Sequence, residues 1–243
     1  MVSAMSLRGR TYTEEIMDGD DYHEGEYQRC LEELEWINRL TSGYTPTLEA
    51  VERAYRLNGE EKLRVLDIGF GNGDTLRMIR RWADAKGFDI ELTGIDINPK
   101  AKRWAESATQ PEMRIRFETA DAFDVDEEYD LIINALMMHH LNDDEIVRLL
   151  RWMTDHSRVG WFVNDLHRHP VAFHFARFFT KAFGFGRLVR NDAPLSVARS
   201  FRPEDWDHYL ERAGIARSSV RLRWHWAFRY GLFCHSFDAK ADQ

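Results

Sequence analysis

Three glycines at alternate positions form the densest chemical signal of the 243-residue chain. Gly69, Gly71 and Gly73 follow Asp67 in the run DIGFGNG, which lies between a short apolar segment and an amphipathic one. Glycine lets the backbone turn sharply and lets a ligand approach the main chain closely. The run departs from the dinucleotide-binding pattern G-x-G-x-x-G, because Asp74 stands where the third glycine belongs. It predicts a loop that binds a nucleotide-like ligand and argues against a nicotinamide-dependent oxidoreductase.

Polar side chains also end the apolar segments that follow this run. Asp96 closes IELTGID, Asp121 follows the segment ending in FETA, and Asn134 closes YDLIIN. Ligands of open α/β sheets bind outside the carboxyl ends of the strands. These residues therefore predict one polar ligand site shared with Asp67. The alternative for each is an ordinary turn or capping residue in contact with water.

Alternating strands and helices would position these residues. The repeat of about 25–30 residues predicts a parallel sheet with helices on both faces. Two strand-like runs near the C-terminus predict an antiparallel pair. We expect an α/β, Rossmann-like, doubly wound sheet of seven strands, mostly parallel, with an N-terminal helical cap. The predicted strands span 63–68, 90–96, 114–118, 129–134, 159–165, 218–224 and 226–237, and the predicted helices span 27–40, 47–57, 74–85, 99–108, 143–154 and 203–213.

The four motifs together resemble the class I S-adenosylmethionine-dependent methyltransferases. The glycine run has the form D-x-G-x-G-x-G of their motif I, and GIDI at 94–97, ADA at 120–122 and MHHL at 138–141 agree in order and spacing. The last stretch resembles small-molecule enzymes of the quinone type. The runs at 165–170 and 191–197 are similar to a bacterial subgroup that acts on polyketide-like or phenolic metabolites.

The resemblance implies methyl transfer from S-adenosylmethionine to a small apolar or aromatic acceptor, with O-methylation of a phenolic or polyketide-like metabolite as the first interpretation. N- or C-methylation and a non-catalytic, regulatory protein of this fold are the alternatives. It also implies that residues 1–60 form a helical cap or lid. Residues 61–243 then form the donor-binding domain, with an insert around 167–200 beside the acceptor pocket.

The donor's chemistry explains the residue types of the motifs. It carries a sulfonium, a ribose and an adenine, so that Asp67 would favour the cationic amino-acid end and Asp96 would accept two ribose hydroxyls. Asp121 would accept from the adenine amino group, next to the flat ring. The cofactor-binding prediction comprises Asp67, Gly69, Gly71, Gly73, Asp96, Ile97, Asp121, Ala122, Phe123 and Asn134.

Histidines beyond the fourth and fifth strands are the candidate bases. A phenol with a pKa of about 10 benefits from a base, and histidine suits neutral pH. His139, His140 and His167 are predicted to be catalytic, with Asp165 as a group that could orient one of them. Histidines in such loops also cap helices or pack against other rings. No metal is predicted, because H-x-H spacing alone does not define a site.

Aromatic residues surround the predicted acceptor site. The N-terminal helices and the loop after the fifth strand would form the pocket, and the predicted acceptor-binding residues are Tyr12, Met17, Trp36, Met138, His169 and Phe175. The segment 171–185 predicts a helix with Val171, Phe175, Phe178 and Phe179 on one face. That face suits a protein core, a pocket wall, a dimer interface or a membrane-surface contact.

Composition limits the remaining function classes. The net charge of −8 disfavours a general nucleic-acid binder. No N/D-P-P-Y/F run follows the fourth strand, which also disfavours a nucleic-acid methyltransferase. Two cysteines, Cys30 and Cys234, cannot form a disulfide framework. With neither a signal-like start nor a long apolar run, we expect a cytoplasmic protein without stable membrane insertion, with a homodimer as an open alternative.

Overall fold

The computed structural model describes residues 7–19 and 21–236. Within them the chain forms a single seven-stranded sheet of order β3-β2-β1-β4-β5-β7-β6. The strands are β1 (Leu63–Ile68), β2 (Ile90–Asp96), β3 (Ile115–Thr119), β4 (Tyr129–Ala135), β5 (Ser157–Leu166), β6 (Val220–His225) and β7 (Arg229–His235). The helices are α1 (Glu24–Leu40), α2 (Thr45–Leu57), α3 (Asp74–Lys86), α4 (Pro99–Ala108), α5 (Asp143–His156), α6 (Pro170–Ala182), α7 (Arg187–Arg199) and α8 (Pro203–Ala213).

The sheet has the predicted class and topology. Strands β1 to β5 are parallel, β7 pairs antiparallel with β5, and β6 pairs antiparallel with β7. The chain reverses direction across the sheet at β1, where the order changes from β2 and β3 on one side to β4 and β5 on the other. In doubly wound sheets this switch point opens a crevice at the carboxyl ends of the strands.

Alternation along the strands builds two apolar layers. Leu63 and Val65 of β1 pack with α2 and α3 on one face of the sheet, whereas Leu66 and Ile68 pack with α5 and α8 on the other. Successive side chains of a strand point to opposite faces, so the parity of a residue number assigns it to a layer. The two layers bury the parallel strands on both faces, as is usual for parallel sheets.

The N-terminal helices lie over this frame. Helix α2 packs on β5 and β4, and α1 packs on α7. The preceding segment, residues 14–19, contains a turn of 3₁₀ helix at Ile16–Asp18 and lies against α7. None of the described helices combines the length and apolar content needed to cross a bilayer.

The region after β5 differs from the sequence prediction. A second helix, α7, follows α6, although Pro194 within it and its weak amphipathic pattern gave no helix signal. Helix α6 buries Ala172, Phe173 and Thr180 rather than the predicted aromatic face. That predicted face is open to solvent, since Val171, Phe175 and Phe178 are 56%, 54% and 65% exposed.

Candidate functional site

A large cavity opens at the switch point of the sheet. Its volume is about 940 Å³, near the upper end of the roughly 300–1,000 Å³ usual for small-molecule sites. It can therefore hold more than one small ligand. The strand ends and the glycine loop form one part of its wall, and residues 14–19, α1, the turn after β4, and α7 form the other.

The glycine loop follows β1 with its backbone against β2 and the turn after β4. Gly69 has φ of +72°, and a Cβ atom there would lie 2.7 Å from the Cγ atom of Met137. No other residue fits this conformation and contact without a shift of the backbone or of Met137. Gly71 lines the cavity, whereas Gly73 lies below it, where a Cβ would meet Phe117.

Asp96 is fixed at the end of β2 by the loop itself. The Gly71 N–H donates to its Oδ2 atom at 3.0 Å, and the Asn98 N–H donates to its Oδ1 atom at 2.8 Å. Burial raises the pKa of Asp96, while the two backbone donors oppose that rise. Each oxygen keeps a further lone pair toward the cavity, so the carboxylate can accept from two neighbouring hydroxyl groups.

Asp67 is a buried carboxyl group without a full set of partners. It is 2% exposed, and its Oδ1 atom has no hydrogen-bond partner among the described residues. Burial, together with the charges of Asp74 and Asp96, raises its pKa well above the ordinary value. A cationic ligand group in the cavity would satisfy this oxygen and favour its ionised form.

The turn after β3 forms the cavity wall next to the end of β2. Asp121 caps this turn by accepting from the Phe123 N–H at 3.0 Å, and Ala122 is buried. Ile97, Asp121, Ala122 and Phe123 all line the cavity. Asn134 does not, because it lies buried beneath the glycine loop, where its Nδ2 atom donates to the Ile68 carbonyl oxygen at 3.0 Å.

Residues 14–19 close the opposite side of the cavity. The carboxylate of Asp192 on α7 accepts from the N–H groups of Ile16 at 2.9 Å and Met17 at 3.1 Å. This holds Met17 and Asp18 at the cavity wall. The structure thus places Met17 at the cavity, as predicted, and also Asp18, which is not among the predicted residues.

His140 and Asp18 form a hydrogen-bonded pair at this wall. The distance from His140 Nδ1 to Asp18 Oδ1 is 2.8 Å. Arg199 donates to Asp18 Oδ2 at 3.1 Å and to the His140 carbonyl oxygen at 2.8 Å, which fixes both partners. Burial raises the pKa of Asp18, but His140 and Arg199 outweigh it and hold that pKa below its usual value. The ionised Asp18 holds the proton of His140 on Nδ1 and leaves Nε2 as the basic nitrogen.

His139 lies behind this pair, buried between two carboxyl groups. Its Nδ1 atom is 2.8 Å from Asp165 Oδ1, and its Nε2 atom is 3.8 Å from Glu15 Oε1. It does not line the cavity, so its side chain cannot contact a ligand there directly, as the predicted catalytic role would require. Burial raises the pKa of Glu15 to about 7, although His140 and the Ser196 hydroxyl lower it.

Three of these side chains could in principle hold a metal ion. Glu15, His139 and His140 each have a ligand atom within 4.8 Å of the others. However, Arg199 Nε lies 4.0 Å from Glu15 Oε1, and the Ser196 hydroxyl donates to the same oxygen at 2.8 Å. A fixed guanidinium charge beside the carboxylate opposes the binding of a cation.

The other two histidines lie outside the cavity. His167 packs against Tyr230 and His169. Its pKa is lowered to about 4, mainly by burial and to a smaller extent by nearby positive groups. It is therefore neutral and does not reach the site where we expected a base. His169 is the N-cap of α6, accepting from the Val171 N–H at 3.2 Å, and does not line the cavity.

Four predicted acceptor-binding residues also lie away from the wall. Tyr12 is exposed and donates to Asp143 Oδ1 at 2.8 Å, and Trp36 and Phe175 contact Phe179 on the outer surface. Met138 is fully buried in the core. The backbone turns at Leu136, with φ of +56°, and this places its neighbour Met137 at the cavity instead.

Known proteins resemble this chain in sequence and in fold. Residues 65–160 match the family model of a methyltransferase domain. Human N-acetylserotonin methyltransferase in complex with SAM is similar with a TM-score of 0.63 and 17% identity over 88% of this chain. The match covers 56% of the human chain, so this protein spans little more than half of that relative's length.

Two further structures agree over more of their own length. The plantazolicin methyltransferase BpumL in complex with SAH has a TM-score of 0.58 and 16% identity, covering 82% of this chain and 79% of its own. Magnesium protoporphyrin IX methyltransferase from Synechocystis PCC 6803 with bound SAH has a TM-score of 0.55 and 14% identity, covering 90% of both chains. At such low sequence identities, the TM-scores establish a shared fold and nothing more.

Proposed function

We propose that this chain, whose residues 65–160 form a methyltransferase domain of the class I fold, transfers a methyl group from S-adenosylmethionine to an oxygen atom of a small, largely apolar acceptor. The observation that carries the proposal is the row of carboxyl groups at successive strand ends around the cavity, of which Asp67 has a buried oxygen without a partner among the described residues. A cationic nucleoside fits that chemistry better than an anionic one.

The donor site follows from the three acids and the loop. Asp96 would accept from the ribose hydroxyls, Asp121 from the adenine amino group, and Asp67 would lie beside the ammonium of the methionine part. Phe123 and Ile97 offer apolar surfaces to the adenine ring. The relatives named above were crystallised with SAM or SAH, which supports the same ligand here.

The acceptor would occupy the rest of the cavity. Leu31 and Leu34 of α1, Met17 and Leu141 provide apolar surface there, beside His140. An apolar wall next to a single basic nitrogen suits a phenolic or polyketide-like hydroxyl. Relatives that act on N-acetylserotonin, plantazolicin and magnesium protoporphyrin IX support a small-molecule acceptor in general terms.

The chain's own residues then have three tasks. When bound, S-adenosylmethionine supplies a methyl group on a sulfonium that needs no further activation. The walls around His140 orient the acceptor oxygen for in-line attack, and residues 14–19 exclude water. His140 Nε2 accepts the hydroxyl proton as the new carbon–oxygen bond forms and the carbon–sulfur bond breaks, while Asp18 stabilises the resulting imidazolium.

N- or C-methylation is the alternative within the same donor chemistry. A C-methyltransferase, the DszA carbon methyltransferase, shares the fold with a TM-score of 0.54. The Asp18–His140 pair can remove a proton, which favours a hydroxyl over a neutral amine, because an amine can attack without a base. A carbon acceptor must also lose a proton, so the apolar wall and the phenolic resemblance are what favour oxygen over carbon. A non-catalytic protein would have no use for that pair.

The test combines donor binding with turnover. We expect calorimetry to detect binding of SAH, and mass spectrometry to detect label transfer from methyl-labelled S-adenosylmethionine to at least one member of a panel of phenols and phenolic polyketides. His140→Gln should lower kcat by about 10²–10⁴-fold with little change in SAH affinity. His174→Gln, on the exposed surface of α6, is the matched control and should keep the original kcat.

Two outcomes would contradict the proposal. Absence of SAH binding would remove the donor from the argument altogether. An unchanged kcat in the His140→Gln protein would exclude this histidine as the base and favour an acceptor that needs none.

A further inference from the structure

A buried arginine lies at the cavity wall where β7 begins. Arg229 is 4% exposed and lines the cavity. Its NH2 group donates to Asn38 Oδ1 at 2.7 Å. A guanidinium has five N–H donors, yet within residues 7–19 and 21–236 this is the one hydrogen bond it makes, and no carboxylate lies within ion-pair distance.

Strand parity places Arg229 on the same face of the sheet as Asp67. Asp67 follows the parity of Leu63 and Val65, and Arg229 follows that of Phe233, all of which belong to the layer beneath α2 and α3. His139 and Asp165 lie on the opposite face. Arg229 therefore lies on the face of the sheet that carries the expected ammonium site, and the buried His139 lies on the other face.

Hydrogen bonds connect this arginine to the glycine loop. Asn38, which accepts from Arg229, also donates to Asp74 Oδ2 at 3.5 Å, and Asp74 is the first residue of α3 after the loop. A Cβ at Gly43 would lie 2.9 Å from the NH2 atom of Arg229. The turn between α1 and α2 thus leaves room for the guanidinium and no more.

The surroundings keep the arginine charged without neutralising it. Burial lowers the pKa of Arg229 to about 10, while Asp165, Tyr44 and Asp74 oppose the decrease. The group therefore remains a cation at neutral pH. Asn164 of β5, which donates to the Gly43 carbonyl oxygen, is also buried and leaves its Oδ1 atom without a partner among the described residues. A buried cation with free donors calls for an anionic partner.

We propose that Arg229 binds the α-carboxylate of the donor's methionine tail, a role that rests on the function proposed above. The ribose and adenine occupy the ends of β2 and β3, so the tail must run the other way along the strand order, past Asp67 on β1 and toward β5 and β7. Asp67 then faces the ammonium and Arg229 the carboxylate. The planar guanidinium can contact both carboxylate oxygens.

The experiment compares two nucleosides that differ only in this carboxylate. SAH and its decarboxylated form, 5′-(3-aminopropylthio)-5′-deoxyadenosine, are titrated calorimetrically into the full chain, into Arg229→Gln, and into Arg223→Gln as an exposed control on β6. We expect the original chain to bind SAH roughly 10- to 100-fold more tightly than the decarboxylated form. Arg229→Gln should remove this preference by weakening SAH alone, and Arg223→Gln should retain it.

The other results have distinct meanings. Equal weakening of both nucleosides in Arg229→Gln would make Arg229 a structural brace and overturn the proposal, as would equal affinity of the original chain for both. If the original chain binds neither nucleoside, the proposed function itself fails. Should Arg229→Gln not fold, Arg229→Lys keeps the charge without the two-pronged geometry and should lower the preference only in part.

Discussion

Glu15 offers a sharp test of how the cavity wall is held. Its side chain is almost completely buried, within 4.0 Å of Arg199 and 3.8 Å of His139, and hydrogen-bonded to Ser196. Burial raises its pKa from an ordinary 4.5 to about 7. We predict that Glu15→Gln, which keeps the acceptor for Ser196, stabilises the protein above neutral pH.

The sign and size follow from proton linkage. Between pH 4.5 and about 7 the folded chain holds a proton on Glu15 that the unfolded chain has released. Stability therefore falls as pH rises through this window, and the loss is complete above pH 7. At about 1.4 kcal/mol for each tenfold difference in proton affinity, the total is about 3 kcal/mol. Glutamine mimics the protonated form and should escape this loss.

The assay is urea unfolding of both proteins between about pH 5 and pH 9. The difference in unfolding free energy, Glu15→Gln minus the original, should rise with pH by about 3 kcal/mol and level off above pH 7. Glu14→Gln removes the same charge from an exposed position of the same segment and should not reproduce the rise. A difference for Glu15→Gln that does not change with pH would refute the reasoning.

Two further predictions concern the donor side. Asp96→Ala should weaken SAH binding by about 1.5–3 kcal/mol for each ribose hydrogen bond lost; calorimetry that finds an unchanged affinity would remove the ribose from the end of β2. Gly69→Ala should lower the unfolding free energy by more than about 1 kcal/mol and impair SAH binding, because φ of +72° and the 2.7 Å approach to Met137 both disfavour a side chain. Gly59→Ala, at a similar φ of +75° with open space around it, separates the backbone cost from the steric one.

The strand-end part of the cavity wall, which we assign to the donor, could be predicted from sequence because its parts are local. The bounds of β1, β2 and α4 agree with the prediction, and each acid stands within two residues of the end of its strand. A strand end and the following turn fix where such a side chain lies. Distant contacts play little part in that placement.

The remaining wall of the cavity could not be predicted in this way. Asp18, Arg199 and Arg229 reach the cavity through contacts between segments far apart in the chain, and nothing in their local sequence distinguishes them from surface residues. His140 and His167 have the same residue type and similar loop positions, yet one faces the cavity and the other is packed among rings. Tertiary contacts decide between them, because Arg199 of α7 holds the His140 backbone, and the sequence did not predict α7.

The absence of α7 from the prediction also explains why the wrong face of α6 was expected to be buried. Its aromatic residues gave the stronger apolar pattern, but α7 packs on the side formed by Ala172 and Phe173. Small side chains allow the two helices to approach closely, which an amphipathic count does not detect. Met138 was likewise assigned in place of Met137, because the backbone turn at Leu136 changes which neighbour points inward.

The packing of residues 14–19 against α7 also bears on the order of folding. The hydrogen bonds from Ile16 and Met17 to Asp192 join positions more than 170 residues apart. Closing so long a loop costs entropy that only a preformed sheet can offset, so we expect this wall to form last during folding. By the same reasoning it is the part that opens first, through a local excursion that leaves the sheet intact and gives ligands a route in and out.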